Sequence, residues 1–126
     1  MKVGTDIIQI TRIEQAVSKH GDAFKRRFLN NSEIVLADKI ESLAGFWAAK
    51  EAIAKALGCG IGSRLGFHDI CITKDPRGAP HFTLATEVQK IHSIQKSSLS
   101  ISHDGGFAIA VVVISLSAAP IPADKD

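Results

Sequence analysis

The chain has 126 residues, of which 45% are hydrophobic and 22% charged, and its formal net charge is +2. This length suits one domain with a core that needs no disulfide or metal, and the composition excludes wholesale disorder. The longest apolar run, Phe107 to Ile114, is too short to cross a bilayer as a helix. We therefore expect a cytoplasmic protein with no membrane association, no secretory signal and reduced Cys59 and Cys71. The small net charge argues against nucleic-acid binding.

The first half of the chain predicts one strand followed by helices. Lys2 to Ile10 is rich in β-branched residues, which is typical of a strand. Thr11 and Glu14 form a capping-box pattern, so a helix is predicted to open there and to end or kink near Gly21. Asp22 can restart a turn through Phe28. The other predicted helices are about ten residues from Glu33 after a loop at Asn30–Ser32, and Leu43 to Leu57 with Gly58 as C-cap.

The second half predicts an antiparallel sheet, so the expected fold class is α+β with the helices of the first half packed on the sheet. Val88, Ile91 and Ile94 are expected to face inward from one intervening helix. Residues 1–116 are expected to form the domain and residues 117–126 a flexible tail. The predicted elements are strand Phe67–Thr73, a turn at Asp75–Gly78, strand His81–Leu84, helix Thr86–Gln95, strand Leu99–His103, a tight turn at Asp104–Gly106 and strand Phe107–Ser115.

Charged residues interrupt the predicted helix Leu43 to Leu57, which is otherwise apolar nearly all round and therefore expected to be buried. Its charges are Lys50, Glu51 and Lys55, and a buried charge is costly unless it is paired or coordinated. Glu51 and Lys55 are one turn apart, which favours an intrahelical ion pair on a partly exposed edge. A functional site on this helix is the other interpretation.

Asp6 favours the functional interpretation, because aspartate is disfavoured in the middle of a strand. Packing of the first strand against the central helix would bring Asp6 near Glu51. Two carboxylates, water and phosphate oxygens are a ligand set that suits Mg²⁺, and Lys55 would then face phosphate. The alternative is that these polar residues are unrelated.

A glycine-rich loop, Gly58 to Gly62, follows the helix instead of opening one, which excludes a P-loop or a dinucleotide fingerprint. It is either a C-cap with a turn or backbone that approaches a phosphate with help from Ser63 and Arg64. His103 ends a predicted strand beside two glycines, a position suited to the rim of a site, although most single histidines are inert.

The positive charge of the chain is concentrated in residues 12–27. That segment holds five cations and two anions, a net charge of +3, while the rest of the chain sums to −1. Such a segment is either a surface for an acidic partner or an ordinary solvated face. The cations are Arg12, Lys19, Lys25, Arg26 and Arg27.

Three segments share residues with one family, in the same order and spacing: GTDIIQITRIE at 4–14, FWAAKEAIAKALGCGIG at 46–62 and SISHDGGFAIAVVV at 100–113. From about Lys2 to Ser115 the chain resembles the holo-acyl-carrier-protein synthases, the small 4′-phosphopantetheinyl transferases. The resemblance implies a homotrimer with active sites between subunits. It also implies Mg²⁺-dependent transfer of phosphopantetheine from coenzyme A to a serine of apo acyl carrier protein, releasing 3′,5′-ADP, in fatty acid biosynthesis.

The resemblance also implies roles for particular residues. Asp6 and Glu51 match the metal-binding carboxylates, and Lys55 matches the lysine that contacts the pyrophosphate. Glu51, Lys55 and His103 would act in catalysis, with the serine deprotonated by Glu51, by His103 or by a metal-bound water. His103 would serve the site of a neighbouring subunit. The matching coenzyme A contacts are Lys55, Gly58, Gly60, Gly62, Ser102 and His103, and the matching carrier-protein contacts are Arg12, Lys25, Arg26 and Arg27.

One position departs from the family pattern. Members often have arginine before the aromatic residue of the W/F-x-x-K-E motif, where this chain has Phe46. A contact with phosphate or carrier is then missing, or Arg64 or Lys39 supplies it. Phe46 keeps open the alternative of a non-catalytic coenzyme A-binding module, although the complete set of carboxylates, lysine and histidine favours an enzyme.

Overall fold

Residues 1–117 are described by a computed structural model and form an α+β fold, as predicted. Within this range no helix is long and apolar enough to span a membrane. The predicted tail lies, from residue 118 onward, outside the described residues. The elements are β1 Lys2–Gln9, α1 Ile10–His20, α2 Asp22–Phe28, α3 Asn31–Leu36, α4 Ile40–Ala56, a 3₁₀ turn Phe67–Asp69, β2 Ile70–Lys74, β3 Pro80–Leu84, α5 Thr86–His92, β4 Ile94–Asp104 and β5 Phe107–Leu116.

The main sheet has three antiparallel strands in the order β1-β5-β4, so the last strand of the chain lies in the middle. Asp6 is paired with Ala110, which is in turn paired with Ile101. β4 and β5 form the predicted hairpin around Gly105 and Gly106, while β2 and β3 form a separate two-stranded sheet. The register therefore places Asp6 on one outer strand and His103 on the other.

Helix α4 packs on one face of this sheet, which carries small and branched apolar residues. The approach is closest at Gly4, where an added Cβ atom would overlap the carbonyl oxygen of Ala52. Only glycine allows β1 and α4 to come so near, and this contact positions Asp6 beside the helix. The buried residues of the sheet face are Ile8, Leu99, Ala108, Ala110, Val112 and Ile114.

Three of the predicted helix starts are wrong, and one of them is that of α4, which begins at Ile40 rather than at Leu43. Helix α1 begins at Ile10, and its N-cap is Gln9, which makes no side-chain capping bond. The N–H group of Ile10 instead donates to the carbonyl of Gly106 at 2.9 Å, so the strand runs directly into the helix and Thr11 caps nothing. Helix α3 begins at Asn31 and has six residues rather than about ten from Glu33.

Several predictions in the second half also differ from the structure. Ile91 is 75% exposed instead of inward. Ser93 adopts a left-handed conformation with φ 50° and ends α5 at His92, before the predicted end at Gln95, so β4 already begins at Ile94 instead of Leu99. Val88 is buried as predicted. The predicted strand from Phe67 starts only at Ile70, since a 3₁₀ turn precedes it.

Candidate functional site

Asp6 and Lys55 meet where β1 crosses α4. The Nζ atom of Lys55 donates to Oδ1 of Asp6 at 2.9 Å and to the carbonyl oxygen of Thr5 at 3.2 Å. Within residues 1–117 the ion-pair partner of Lys55 is Asp6, so the intrahelical pair with Glu51 is not formed. The side chain of Lys55 is 54% exposed and that of Asp6 is 16% exposed, so a ligand can approach the lysine from solvent.

Glu51 belongs to the same cluster. Its pKa is raised above the ordinary value, first by burial and then by the negative charge of Asp6, while Lys55 partly opposes the rise. The charge of Asp6 thus acts on Glu51, in agreement with the prediction that β1 packs near this part of α4. A nearby cation would relieve their repulsion.

The residues of this cluster suit a magnesium ion. Among residues 1–117 no group of three or more His, Cys, Asp or Glu side chains gathers to hold a metal. Mg²⁺ seldom needs such a cage, because it is usually bound through one or two carboxylates, waters and the phosphates of a substrate. Asp6 and Glu51 provide that smaller set.

His103 lies away from this cluster in the same chain. It is paired with Ala108, and β5 separates its strand from β1, so two strand spacings of about 5 Å each lie between the strands. His103 and Asp6 share the face covered by α4, whereas Ser102 alternates to the opposite face. The structure therefore does not unite Asp6 and Glu51 with His103 in one chain, and it directs Ser102 and His103 to different faces.

The imidazole of His103 lines a cavity of about 210 Å³ at the beginning of α4. Phe46 lines the same cavity and is only 1% exposed. The cavity is therefore lined both by His103, a predicted coenzyme A contact, and by Phe46, the residue that departs from the family pattern. Its other lining residues are Glu41, Ser42, Lys74, Gly78, Pro80 and Ile101.

The glycine-rich loop acts as a helix cap, which is one of its two predicted interpretations. Gly58 has φ 83°, and the N–H groups of Cys59 and Gly60 donate to the carbonyl of Ala54 at 3.3 and 3.1 Å. The N–H group of Gly62 donates to the carbonyl of Leu65 at 2.9 Å. These amides already have partners, so phosphate binding by Gly58, Gly60 and Gly62 stays a prediction.

The basic segment is divided between two helices. The break at Gly21 separates Arg12 on α1 from the cations of α2, so they do not form one continuous helical stripe. Arg12, Arg26 and Arg27 are exposed, whereas Lys25 is only 24% exposed and lies 3.9 Å from Asp22. Lys19 on α1 is exposed as well, so four exposed cations are available to an acidic partner.

A buried ion pair beside the site is absent from the sequence-based predictions. Lys50 and Glu33 are fully buried with Nζ 2.8 Å from Oε1. Lys50 also donates to the carbonyls of Phe28 and Phe67, and burial lowers its pKa against the opposing effect of Glu33. The sequence signals were a lysine on an apolar helix and a glutamate three residues after Asn30, but nothing in the spacing linked them.

Comparison with known proteins identifies the family. The model of the 4′-phosphopantetheinyl transferase superfamily matches residues 2–112. The chain belongs to this superfamily. A holo-[acyl-carrier-protein] synthase of Sulfurovum sp. (strain NBC37-1) is 64% identical over 119 residues, which cover 94% of this chain and 100% of the relative.

Solved structures of this superfamily have the same fold. The Helicobacter pylori holo-[acyl-carrier-protein] synthase in complex with coenzyme A superposes with a TM-score of 0.87 at 54% identity, covering 90% of this chain and 99% of the other. The Neisseria meningitidis synthase has a TM-score of 0.82 at 36% identity, covering 90% and 97%. The predicted family, the α+β fold and the transferase class are confirmed.

Proposed function

We propose that this chain transfers the 4′-phosphopantetheine group of coenzyme A to a serine of apo acyl carrier protein, for fatty acid biosynthesis, with Mg²⁺ bound at Asp6 and Glu51. The observation that carries the proposal is the cluster of these two carboxylates with Lys55 in a chain of this superfamily. Relatives named holo-[acyl-carrier-protein] synthase, one of them solved with coenzyme A, support the same substrates.

The reaction is a displacement at phosphorus. The serine oxygen forms a bond to the phosphorus that carries the pantetheine arm, the bond from that phosphorus to the bridging oxygen breaks, and 3′,5′-ADP leaves with the electron pair. Mg²⁺, when bound, supplies neutralisation of the charge on the phosphate oxygens. Asp6 and Glu51 would hold it, and Glu51 must be ionised to do so.

Lys55 is placed to stabilise the leaving phosphate. Its ammonium group is half exposed and hydrogen-bonded to Asp6, so rotation of the side chain can exchange that bond for one to a phosphate oxygen. Most of the catalysis of such transfers comes from positioning and charge stabilisation. The serine proton can go to Glu51 or to His103.

Assembly as a homotrimer is part of this proposal. His103 is on the other outer strand from Asp6, so a site that uses both is more easily completed by a second copy of the chain. The sheet face opposite α4 supports such an assembly, because it exposes apolar side chains. These are Val3 (60% exposed), Ile7 (60%), Ile109 (41%) and Val111 (37%).

The acidic carrier protein is proposed to dock on the basic segment. Arg12 at the start of α1 and Arg26 and Arg27 at the end of α2 are exposed, and Lys25 adds a fourth charge. Exposed charges of one sign speed the encounter with a partner of opposite charge. A location in the cytoplasm, where apo carrier proteins are made, also belongs to the proposal.

The direct test is incubation with apo acyl carrier protein, coenzyme A and Mg²⁺, with and without EDTA, followed by intact mass spectrometry of the carrier. We expect the carrier to gain the mass of one phosphopantetheine, and EDTA to prevent the gain. Asp6→Asn and Glu51→Gln should each abolish most turnover, while Glu87→Gln, at an exposed carboxylate of α5, should not. Wild-type turnover in both site variants at limiting Mg²⁺ would make the metal assignment wrong.

The second candidate function is that of a non-catalytic coenzyme A-binding module. It is kept because this chain has Phe46 where family members often have arginine. Coenzyme A binding by calorimetry, with no mass gain on several carriers, would favour that candidate. Light scattering on the same preparation measures the molar mass and shows whether the chain forms a trimer.

A further inference from the structure

Helix α2 carries three cations of the basic segment but is too short to be stable by itself. It has seven residues, and its N-cap Gly21 provides no side-chain capping bond. Isolated helices of fewer than about 12 residues are marginal in water. The conformation of α2, and with it the direction of its charged side chains, therefore depends on bonds from other parts of the chain.

An aromatic cluster holds the inner side of α2. Phe24 and Phe28 are buried, and their ring centroids lie 5.8 and 5.2 Å from that of Trp47 on α4. The ring of Phe28 also lies 6.1 Å from that of Phe67 in the 3₁₀ turn. These contacts fix α2 on α4, while the outer side of α2, with its two arginines, is exposed to solvent.

The carbonyl groups at the end of α2 bond to three different parts of the chain. The last four carbonyls of a helix have no partner within it. In α2, the carbonyl of Lys25 accepts the N–H group of Leu29 at 2.9 Å. The carbonyl of Phe28 accepts the Nζ atom of the buried Lys50 at 2.7 Å. The carbonyl of Arg26, between these two, bonds to an imidazole.

This imidazole belongs to His68, in the 3₁₀ turn before β2. Its Nε2 atom lies 2.7 Å from the carbonyl oxygen of Arg26. A carbonyl can only accept, so this nitrogen carries a hydrogen and donates it. The turn itself is closed, because the N–H group of Gly66 donates to Oδ2 of Asp69 at 2.8 Å. An exposed donor on a closed turn thus holds the last turn of α2.

We propose that His68 is a positioning residue for the docking of the carrier protein. Its bond to the carbonyl of Arg26 keeps the last turn of α2 formed, so that Arg26 and Arg27 already have the conformation that the acidic carrier meets. This inference rests on the proposed function, in which these arginines bind the carrier. Without the bond the last turn frays, and the carrier must re-form it on binding.

The cost of this re-formation falls on one substrate only. The apparent affinity for the carrier is reduced by the fraction of molecules in which the turn is formed. Coenzyme A is proposed to bind at the Asp6–Glu51–Lys55 cluster, on β1 and α4, so its affinity does not depend on the end of α2. A role in positioning therefore predicts a change in the KM for the carrier alone.

The test measures steady-state kinetics with both substrates, and the Kd of apo acyl carrier protein by calorimetry without coenzyme A. His68→Ala should raise the KM and the Kd for the carrier by about three- to tenfold, the value of one neutral hydrogen bond. The kcat and the KM for coenzyme A should not change. His68→Gln, whose side-chain N–H group has a similar reach, should restore most of the affinity.

Salt dependence separates positioning from direct contact. In His68→Ala the re-formed turn still brings both arginines to the carrier, so the KM should rise with salt as steeply as in the wild-type protein. Arg27→Ala removes a contact and should flatten this dependence. Hydrogen exchange gives a readout without any substrate, because the amide of Leu29, which closes the last turn of α2, should exchange faster in His68→Ala.

His81→Ala is the matched control. It removes an exposed imidazole that is also hydrogen-bonded through Nε2, but to Asp75 in the β2–β3 hairpin, and it should leave the KM for the carrier and the exchange of Leu29 unchanged. Thermal unfolding shows whether each variant is folded.

Four results would overturn the proposal: an unchanged KM for the carrier in His68→Ala, an equal rise in the KM for coenzyme A, a flattened salt dependence, or the same changes in His81→Ala. If the apo carrier binds through His68 as expected but gains no phosphopantetheine, the proposed function fails while the role of His68 in docking stands.

Discussion

The buried pair Glu33–Lys50 provides a stability prediction whose size follows from the structure. Replacement of Lys50 by methionine keeps most of the side-chain volume but leaves the Glu33 carboxylate buried without its cation. The carbonyls of Phe28 and Phe67 also lose the donor that lies 2.7 and 2.9 Å away. Breaking a buried pair in this way costs about 3–5 kcal/mol.

Glu33 itself is anchored by the backbone, which limits how far the structure can relax. Its Oε1 accepts the N–H group of Asn30 at 2.7 Å, and its Oε2 accepts that of Ile72 at 2.8 Å. At about 4 °C per kcal/mol for a domain of this size, Lys50→Met should lower the Tm by about 12–20 °C. Glu33→Gln combined with Lys50→Met should cost less than the sum of the single changes, because the unpaired buried charge is absent.

The fluorescence of Trp47 during unfolding provides the assay for this prediction. Trp47 is the single tryptophan of the chain and packs against Phe67 and Phe28 with centroid distances of 4.8 and 5.2 Å, so its fluorescence reports on the region around the pair. Urea unfolding should be measured at one fixed protein concentration, since the proposed assembly as a homotrimer would make stability depend on concentration. Lys55→Met on the same helix is the control and should cost less than about 1 kcal/mol, because that lysine is half exposed. A Lys50→Met protein as stable as this control would refute the reasoning.

Three further predictions concern the site. Gly4→Ala should destabilise the protein by about 3 kcal/mol and raise the Mg²⁺ concentration needed for half-maximal turnover, because the new Cβ forces β1 away from Ala52; a variant with wild-type Tm and metal dependence would contradict this. Arg12→Ala should raise the KM for the carrier severalfold and flatten its salt dependence while the KM for coenzyme A stays constant; an equal rise in both would count against docking. The pKa of Glu51 is raised above 4.5 in the folded metal-free protein, so folding retains a proton there and the unfolding free energy falls as the pH rises through that raised pKa. Glu51→Gln should remove this part of the pH dependence. The measurement is the unfolding free energy from urea titrations at several pH values. If this free energy changed with pH equally in the wild-type protein and in Glu51→Gln, the burial of Glu51 beside Asp6 would have no such effect.

Periodicity within one element was readable from the sequence. The apolar stretch from Leu43 to Leu57 predicted a buried helix, and the helix is buried over most of its surface. The position of Asp6 in a strand of apolar residues predicted a charge beside that helix, which is where the structure has it. Such predictions succeed because the faces of a helix or strand follow directly from residue spacing.

Partners that belong to different elements were not readable in the same way. Lys55 is one turn from Glu51 yet bonds to Asp6, which is far away in the sequence. Thr11 has the pattern of a cap, but a hydrogen bond from Ile10 to the β4–β5 turn starts the helix earlier. Each of these outcomes depends on which segments pack together, and spacing along the chain holds no information about that.

By itself, the sequence determined the family, the order of the elements and the set of charged residues on an apolar helix. Only the tertiary structure decided that Glu33 pairs with Lys50 and that Lys74 lies over the ring of Phe46. It also decided that β5 lies between the strands of Asp6 and His103. The physical reason is that a buried charge is costly unless a group of opposite charge lies beside it. The strand order and the close contact at Gly4 determine which groups lie near each other.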